Sequence, residues 1–220
     1  MEKHIYFVRH AESEANASGQ DLGDTPGLSA LGHAQATTLA RRIAKINSIK
    51  TIVSSTLPRS LETAEIIAGF TKLPIEKSSL FDQRKRPSLL VGKSHLDPEA
   101  MNVMKEIFDG YVIPGHRHSD EENLTDLKHR TGDAIRFLEN HPDDALCVVT
   151  HGMFLRALFV SVLSGGEFKG TDLQRAIEHL EPESTGVSYF RFESIPNPIS
   201  GRNSPLWKII SWNDRSHLPA

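Results

Sequence analysis

Two short apolar runs, far apart in the chain and each ending in a histidine, constrain this sequence more than any other feature. His4-Ile5-Tyr6-Phe7-Val8 leads into Arg9-His10, and Ala145-Leu146-Cys147-Val148-Val149-Thr150 leads into His151-Gly152. Runs of this length without polar alternation suit strands buried on both faces, as in a parallel sheet covered by helices. Ligands of such sheets bind beyond the carboxyl ends of the strands. A guanidinium and two imidazoles are therefore expected at one rim.

The chain between these runs has the matching punctuation. Ser29 is placed to cap a helix running to about Asn47, with Leu39, Ile43 and Ile46 on its inner face. Lys50 to Ser55 reads as a second strand, and Pro58 opens a helix from Arg59 to about Ala68 that Gly69 closes. A short strand at Pro74-Ile75-Glu76 completes strand, helix, strand, helix, strand. Further on, a helix from Thr125 to about His141 precedes the Ala145 strand, and an apolar helix from Met153 to Ser164 follows it. After a helix over Thr171 to Leu180, the strands Gly186–Phe192 and Trp207–Ile210 are expected to form a hairpin across a loop from Pro196 to Gly201.

The expected fold is α/β: a three-layer sandwich with a mostly parallel central sheet, helices on both faces and a helical lid insertion. With 220 residues the chain fits one domain, 1–220, with the lid between about residues 82 and 123. Within the lid, Asp97 caps a helix with Met101, Met104, Ile107 and Phe108 as its apolar stripe and Gly110 as its stop. A net charge of −3 provides no general attraction to nucleic acid or anionic lipid, and neither partner is expected. Cys147 is alone in an apolar run, which suits a small buried hydrophobe in a reducing compartment. No stretch approaches a membrane span, so cytoplasmic residence is the expectation. Neither G-x-x-x-x-G-K nor a dinucleotide fingerprint is present, and no cofactor is expected.

The expected strand ends carry the chemistry. Arg9 and His10, Arg59 after the second strand, and His151-Gly152 would converge on one crevice. Arginine forks match phosphate oxygens bidentately. One histidine with a free lone pair could attack phosphorus, while a second, protonated, would stabilise the transferring group. Metal ligation by the two histidines is disfavoured by the neighbouring guanidinium groups, and no metal is expected. Arg84-Lys85-Arg86 reads either as a solvated charge run or as a substrate-anion contact.

Val8-Arg9-His10-Ala11-Glu12-Ser13-Glu14-Ala15-Asn16 resembles the R-H-G-[EQ]-[ST]-x-x-N signature of the histidine phosphatase superfamily, the phosphoglycerate-mutase-like fold. Ser54-Ser55-Thr56-Leu57-Pro58-Arg59-Ser60-Leu61-Glu62-Thr63-Ala64 is similar to its S-x-x-x-R-[AS]-x-x-T-A element, and Val148 to Gly152 to its V-x-H-G element. The resemblance implies a metal-independent phosphomonoesterase of the phosphatase branch. In it His10 is the nucleophile, Arg9, Arg59 and His151 form the phosphate pocket with Gly152, and Asn16 is a phosphate or substrate contact. Asp82, in Leu80-Phe81-Asp82, stands where the family's proton donor is usually a glutamate. Ala11 replaces the usual glycine. A mutase that returns the phosphoryl group to a bound intermediate is the enzymatic alternative; a non-catalytic phospholigand-binding module is the other. A phosphorylated small molecule is the expected substrate, a phosphoprotein also being admissible, and the oligomeric state is left unassigned.

Overall fold

Successive side chains of a strand point to opposite faces, so an apolar run without gaps must be covered twice. The computed structural model, which describes residues 2–21, 23–196 and 203–218, covers both runs in this way. Strands β1 (Glu2–Arg9), β2 (Thr51–Ser54), β3 (Ile75–Lys77), β4 (Ala145–Thr150), β5 (Val187–Pro196) and β6 (Asn203–Asp214) form one sheet in the order β3-β2-β4-β1-β5-β6. The first four in that order run parallel, while β5 and β6 are antiparallel additions beside β1.

On one face, Val8, Ile52, Cys147 and Val149 pack with α2 (Ala30–Ile43) and α3 (Pro58–Thr71). On the other, Ile5, Phe7, Leu146 and Val148 pack with α4 (Pro98–Gly110), α5 (Leu124–Asn140), α6 (Gly152–Leu163) and α7 (Gly170–His179). A short helix, α1 (Glu14–Ser18), follows β1. The expected three-layer α/β architecture is the observed one.

Register positions the site. Arg9 lies opposite Thr150, and Ser54 opposite Val149. The carboxyl ends of β1 and β4 are therefore level, and His10 and His151 leave the sheet side by side. Residues 83–88 and the inner side of α4 lie over this rim, where the sequence placed a lid.

Three local expectations are corrected. Gly69 does not close α3; the helix runs to Thr71, and Lys72 takes the left-handed conformation (φ 61°), its N–H bonded to Ala68 O. The first helix expected to reach Asn47 stops at Ile43. Met101 lies on the outer face of α4, 54% exposed, because the buried positions are Ala100, Val103 and Ile107. The expected hairpin is present as β5–β6, with Trp207 Nε1 donating to Glu139 Oε1 on α5 (2.8 Å). Its loop at residues 197–201 lies outside the described residues, and Pro196 itself ends β5.

Candidate active site

His10 follows β1 directly and is 3% exposed. Its Nδ1 lies 2.7 Å from Ala11 O. A carbonyl only accepts, so Nδ1 carries the hydrogen and Nε2 keeps its lone pair. Burial, and then the charges of Arg9 and Arg59, hold the imidazole's pKa well below its ordinary value. Ala11 takes ordinary backbone geometry, absent from the positive-φ residues. Its N–H donates to Thr63 Oγ1 on α3 (3.1 Å), and its methyl packs with Leu28 and Ala36. The departure from glycine is thus absorbed without backbone strain.

The rings of His10 and His151 are 4.9 Å apart, inclined at 57°. His151 is fully buried, with Nε2 at 2.8 Å from Ser55 Oγ and 3.1 Å from Ser60 Oγ. Ser55 Oγ donates its one hydrogen to Asp82 Oδ1 (2.7 Å), so it accepts from His151 Nε2–H. Nδ1 of His151 is buried without a partner. Burial, followed by His10 and the arginines, keeps this ring neutral in the free site.

Asp82 was expected to face the leaving group; neither it nor His151 is among the residues lining the cavity, and the charge of Asp82 acts on Arg59. Its Oδ1 accepts from Ser55 Oγ, Thr56 N (2.7 Å) and Thr56 Oγ1, and its Oδ2 from Thr56 Oγ1 (2.8 Å). Both oxygens therefore clasp the turn between β2 and α3. The backbone of Leu80 and Asp82 is held by Arg130 of α5, whose Nη1 donates to both carbonyls (2.9 and 2.8 Å). Arg130 is anchored in turn by a two-pronged pair with Glu122 at 2.6 Å.

Arg9, His10, Asn16, Arg59 and Gly152 all line one open cavity of about 790 Å³. Arg59 is 7% exposed on the first turn of α3, beside the buried hydroxyls of Ser60 and Thr63. Arg9 donates from Nη1 to Pro182 O (2.6 Å), while its Nε is buried and unpartnered. Desolvation lowers the Arg9 pKa to about 10 without removing its charge near neutrality. Asn16 Oδ1 accepts from Ser13 N and Oγ in the capping box of α1, which fixes its amide at the cavity wall. At Gly152 a Cβ would come within 3.2 Å of Pro182 Cγ and 3.6 Å of Arg9 Nε, so the bare Cα lets α6 begin against the arginine. That amino terminus adds backbone donors to the rim, a geometry suited to an anion.

Several contributors escaped sequence reasoning. Ser55, Ser60 and Thr63 fall inside the second quoted block, and the signal was a polar stripe where a buried helix face should be apolar. Asp24, Arg130 and Arg156 carry no local pattern; the fold alone brings Asp24 and Arg156 to the cavity and Arg130 behind Asp82.

The family model of the histidine phosphatase superfamily (branch 1) matches residues 5–176. Metal-independent phosphoserine phosphatase of Arabidopsis thaliana is 29% identical over 97% of this chain and 82% of its own length. The Shigella boydii serotype 18 protein named "Probable phosphoglycerate mutase GpmB" is 34% identical over 98% of this chain and 95% of its own. Among solved structures, mycobacterial glucosyl-3-phosphoglycerate phosphatase with VO3 superposes with a TM-score of 0.74 at 18% identity, covering 96% of this chain and 99% of that one. At that identity the likeness concerns the fold.

Proposed function

The chain belongs to branch 1 of the histidine phosphatase superfamily, and from that membership we propose that it hydrolyses phosphomonoesters of small molecules through a phosphohistidine on His10. The observation that carries this reading is the facing pair of neutral imidazoles between two buried guanidinium groups. Arg9 and Arg59 seat the phosphoryl oxygens, with the first turn of α6 and the Asn16 amide beside them. His10 Nε2 attacks phosphorus in line; the N–P bond forms as the ester P–O bond breaks. The arriving dianion offsets the repulsion that keeps His151 neutral. His151 then takes up one proton from solvent at Nδ1 as the dianion binds, stabilises the equatorial charge, and returns that proton to solvent when phosphate leaves.

Asp82 is assigned a positioning role, holding Ser55 so that His151 presents Nδ1 to the phosphoryl group. Of the cavity's two carboxylates, Asp21 is engaged by Arg86 (3.2 Å) and Gly23 N (3.0 Å). Asp24 is left to protonate the leaving oxygen, then to take the proton from the water that cleaves the phosphohistidine. Chain 1–220 acts as one unit with segment 82–123 closing the rim. The lone buried Cys147 supports residence in the reducing cytoplasm. Among the described residues no helix is long and apolar enough to cross a membrane.

The test is hydrolysis of p-nitrophenyl phosphate with and without chelator, together with trapping of an acid-labile phosphoenzyme. Wild-type protein should form the adduct and keep its activity in chelator; His10→Ala should lose both adduct and turnover. Full activity in His10→Ala, or strict dependence on added metal, overturns the reading. Interconversion of phosphoglycerates primed by a bisphosphorylated compound would favour the mutase instead.

A further inference from the structure

Arg9 is tied to a single loop, residues 180–186 between α7 and β5. Its N–H donates to Gly186 O (3.3 Å), its carbonyl accepts from Thr185 N (3.1 Å), and its Nη1 donates to Pro182 O (2.6 Å). The last bond sets where the guanidinium sits, because its acceptor is backbone and moves only with the loop. Glu181, next to Pro182, is the acid whose charge acts on both Arg9 and Arg156.

A loop with these contacts must keep its shape. Thr185 is fully buried in the left-handed region (φ 60°), a costly conformation for a β-branched residue that persists only where neighbours over-determine it. Those neighbours come from the far end of the chain. Asn213, in β6 at φ 51°, spans the loop with its amide: Oδ1 accepts from Glu183 N (2.9 Å) and Nδ2 donates to Glu181 O (2.8 Å). The two contacts flank Pro182, whose carbonyl holds the arginine. A Cβ on Gly186 would overlap Asn213 Oδ1, so the bare Cα is what admits the amide. Asn213 N donates in turn to Ser188 Oγ on β5 (3.0 Å), and Arg215 pairs with Glu183.

A second support reaches Thr185 itself. Its hydroxyl donates to Ser184 O (2.7 Å) and so accepts from His217 Nε2–H (3.1 Å). Nδ1 of His217 then accepts from Arg42 on α2 (3.2 Å). Burial, and then the Arg42 charge, lower this ring's pKa to about 4, so the neutral tautomer is the one present near neutrality.

We infer that Asn213 is a positioning residue for the phosphoryl site: its amide clasps Glu181 and Glu183 so that the Pro182 carbonyl between them orients the Arg9 guanidinium. This rests on the reading above that Arg9 seats phosphoryl oxygens. Asn213 does not line the cavity and acts only through the loop.

The test is a double-mutant cycle, with inorganic phosphate as the probe and its dissociation constant measured by calorimetry. Asn213→Gly removes both contacts while accepting the positive φ, so backbone strain does not enter. Loss of orientation equivalent to one charge-assisted hydrogen bond predicts that this variant binds phosphate about tenfold more weakly than wild type. Asn213→Ser, neutral and able to keep at most one of the two contacts, should also weaken binding, and it carries the same cycle if the glycine variant does not fold. In an Arg9→Ala background either change should weaken binding no further, whereas in Arg59→Ala it should keep its full effect. Equal weakening in both backgrounds is what mere support of the fold would produce, and it overturns the inference. So does phosphate affinity unchanged in Asn213→Gly while Arg9→Ala loses it. Affinity unmoved by Arg9→Ala itself refutes the seat assigned to Arg9, and the inference with it.

Discussion

Replacing Asp82 with alanine separates two jobs that a carboxylate beside a phosphoryl site can do. The change removes the acceptor of Ser55 Oγ (2.7 Å) and Thr56 N (2.7 Å). Ser55's hydrogen is then free to turn to His151 Nε2, 2.8 Å away, which reverses the tautomer and removes the ring's fixed orientation. A hydrogen bond to a charged group contributes about 1.5–3 kcal/mol, and only the Ser55 bond connects to His151. At about 1.4 kcal/mol per decade, kcat/KM should drop by about 10- to 100-fold. The assay is steady-state hydrolysis of p-nitrophenyl phosphate beside an alkyl phosphate. Nitrophenolate leaves without a proton, whereas an alkoxide needs one. Asp82 as an orienting group predicts equal losses on both esters, reproduced in Ser55→Ala. If the aryl ester stays within about threefold of wild type while the alkyl ester falls by 100-fold or more, Asp82 is the proton donor and the argument fails.

The converse pattern is expected of Asp24→Asn: a selective loss on the alkyl ester, read in the same assay. Stability should decline on acidification from about pH 6.5, the ordinary histidine pKa. His10 and His151 are neutral in the fold and protonate only on unfolding there, so unfolding takes up protons as pH falls toward their depressed folded values. Each buried ring contributes a slope approaching about 1.4 kcal/mol per pH unit; urea titrations between pH 5 and 8 that show no such slope would contradict the neutral assignment. Gly32→Ala places a methyl 2.0 Å from Glu12 O, at the loop that follows His10. It should cost about 1–3 kcal/mol in chemical denaturation and shift the β1 loop, whereas Gly69→Ala meets nothing and should be neutral or stabilising.

Much of the architecture was legible because periodicity reports burial directly. Ile5, Phe7, Leu146 and Val148 had to be covered on one face while Val8, Cys147 and Val149 were covered on the other, and only helices on both sides of a sheet provide that. Helix ends were less legible. Lys72 adopts the left-handed conformation usually taken by glycine, so the helix passes Gly69 without stopping. Met101 misled because apolar spacing on α4 allowed two neighbouring stripes, and only packing chose Ala100, Val103 and Ile107.

By itself the sequence determined that Arg9-His10 and His151 sit at strand ends, since a buried strand must deliver the next residue to the rim. Tertiary structure alone decided what surrounds them. The register that sets Arg9 against Thr150 makes the two imidazoles neighbours, and burial between guanidinium groups makes both neutral. Asp82 was one residue of a local motif until the turn between β2 and α3 was seen to occupy both of its oxygens. Arg84 was part of a charge run until its burial against the Tyr111 ring appeared. Hydrogen-bond partners and desolvation depend on residues distant in the chain, and linear order carries no record of which will arrive.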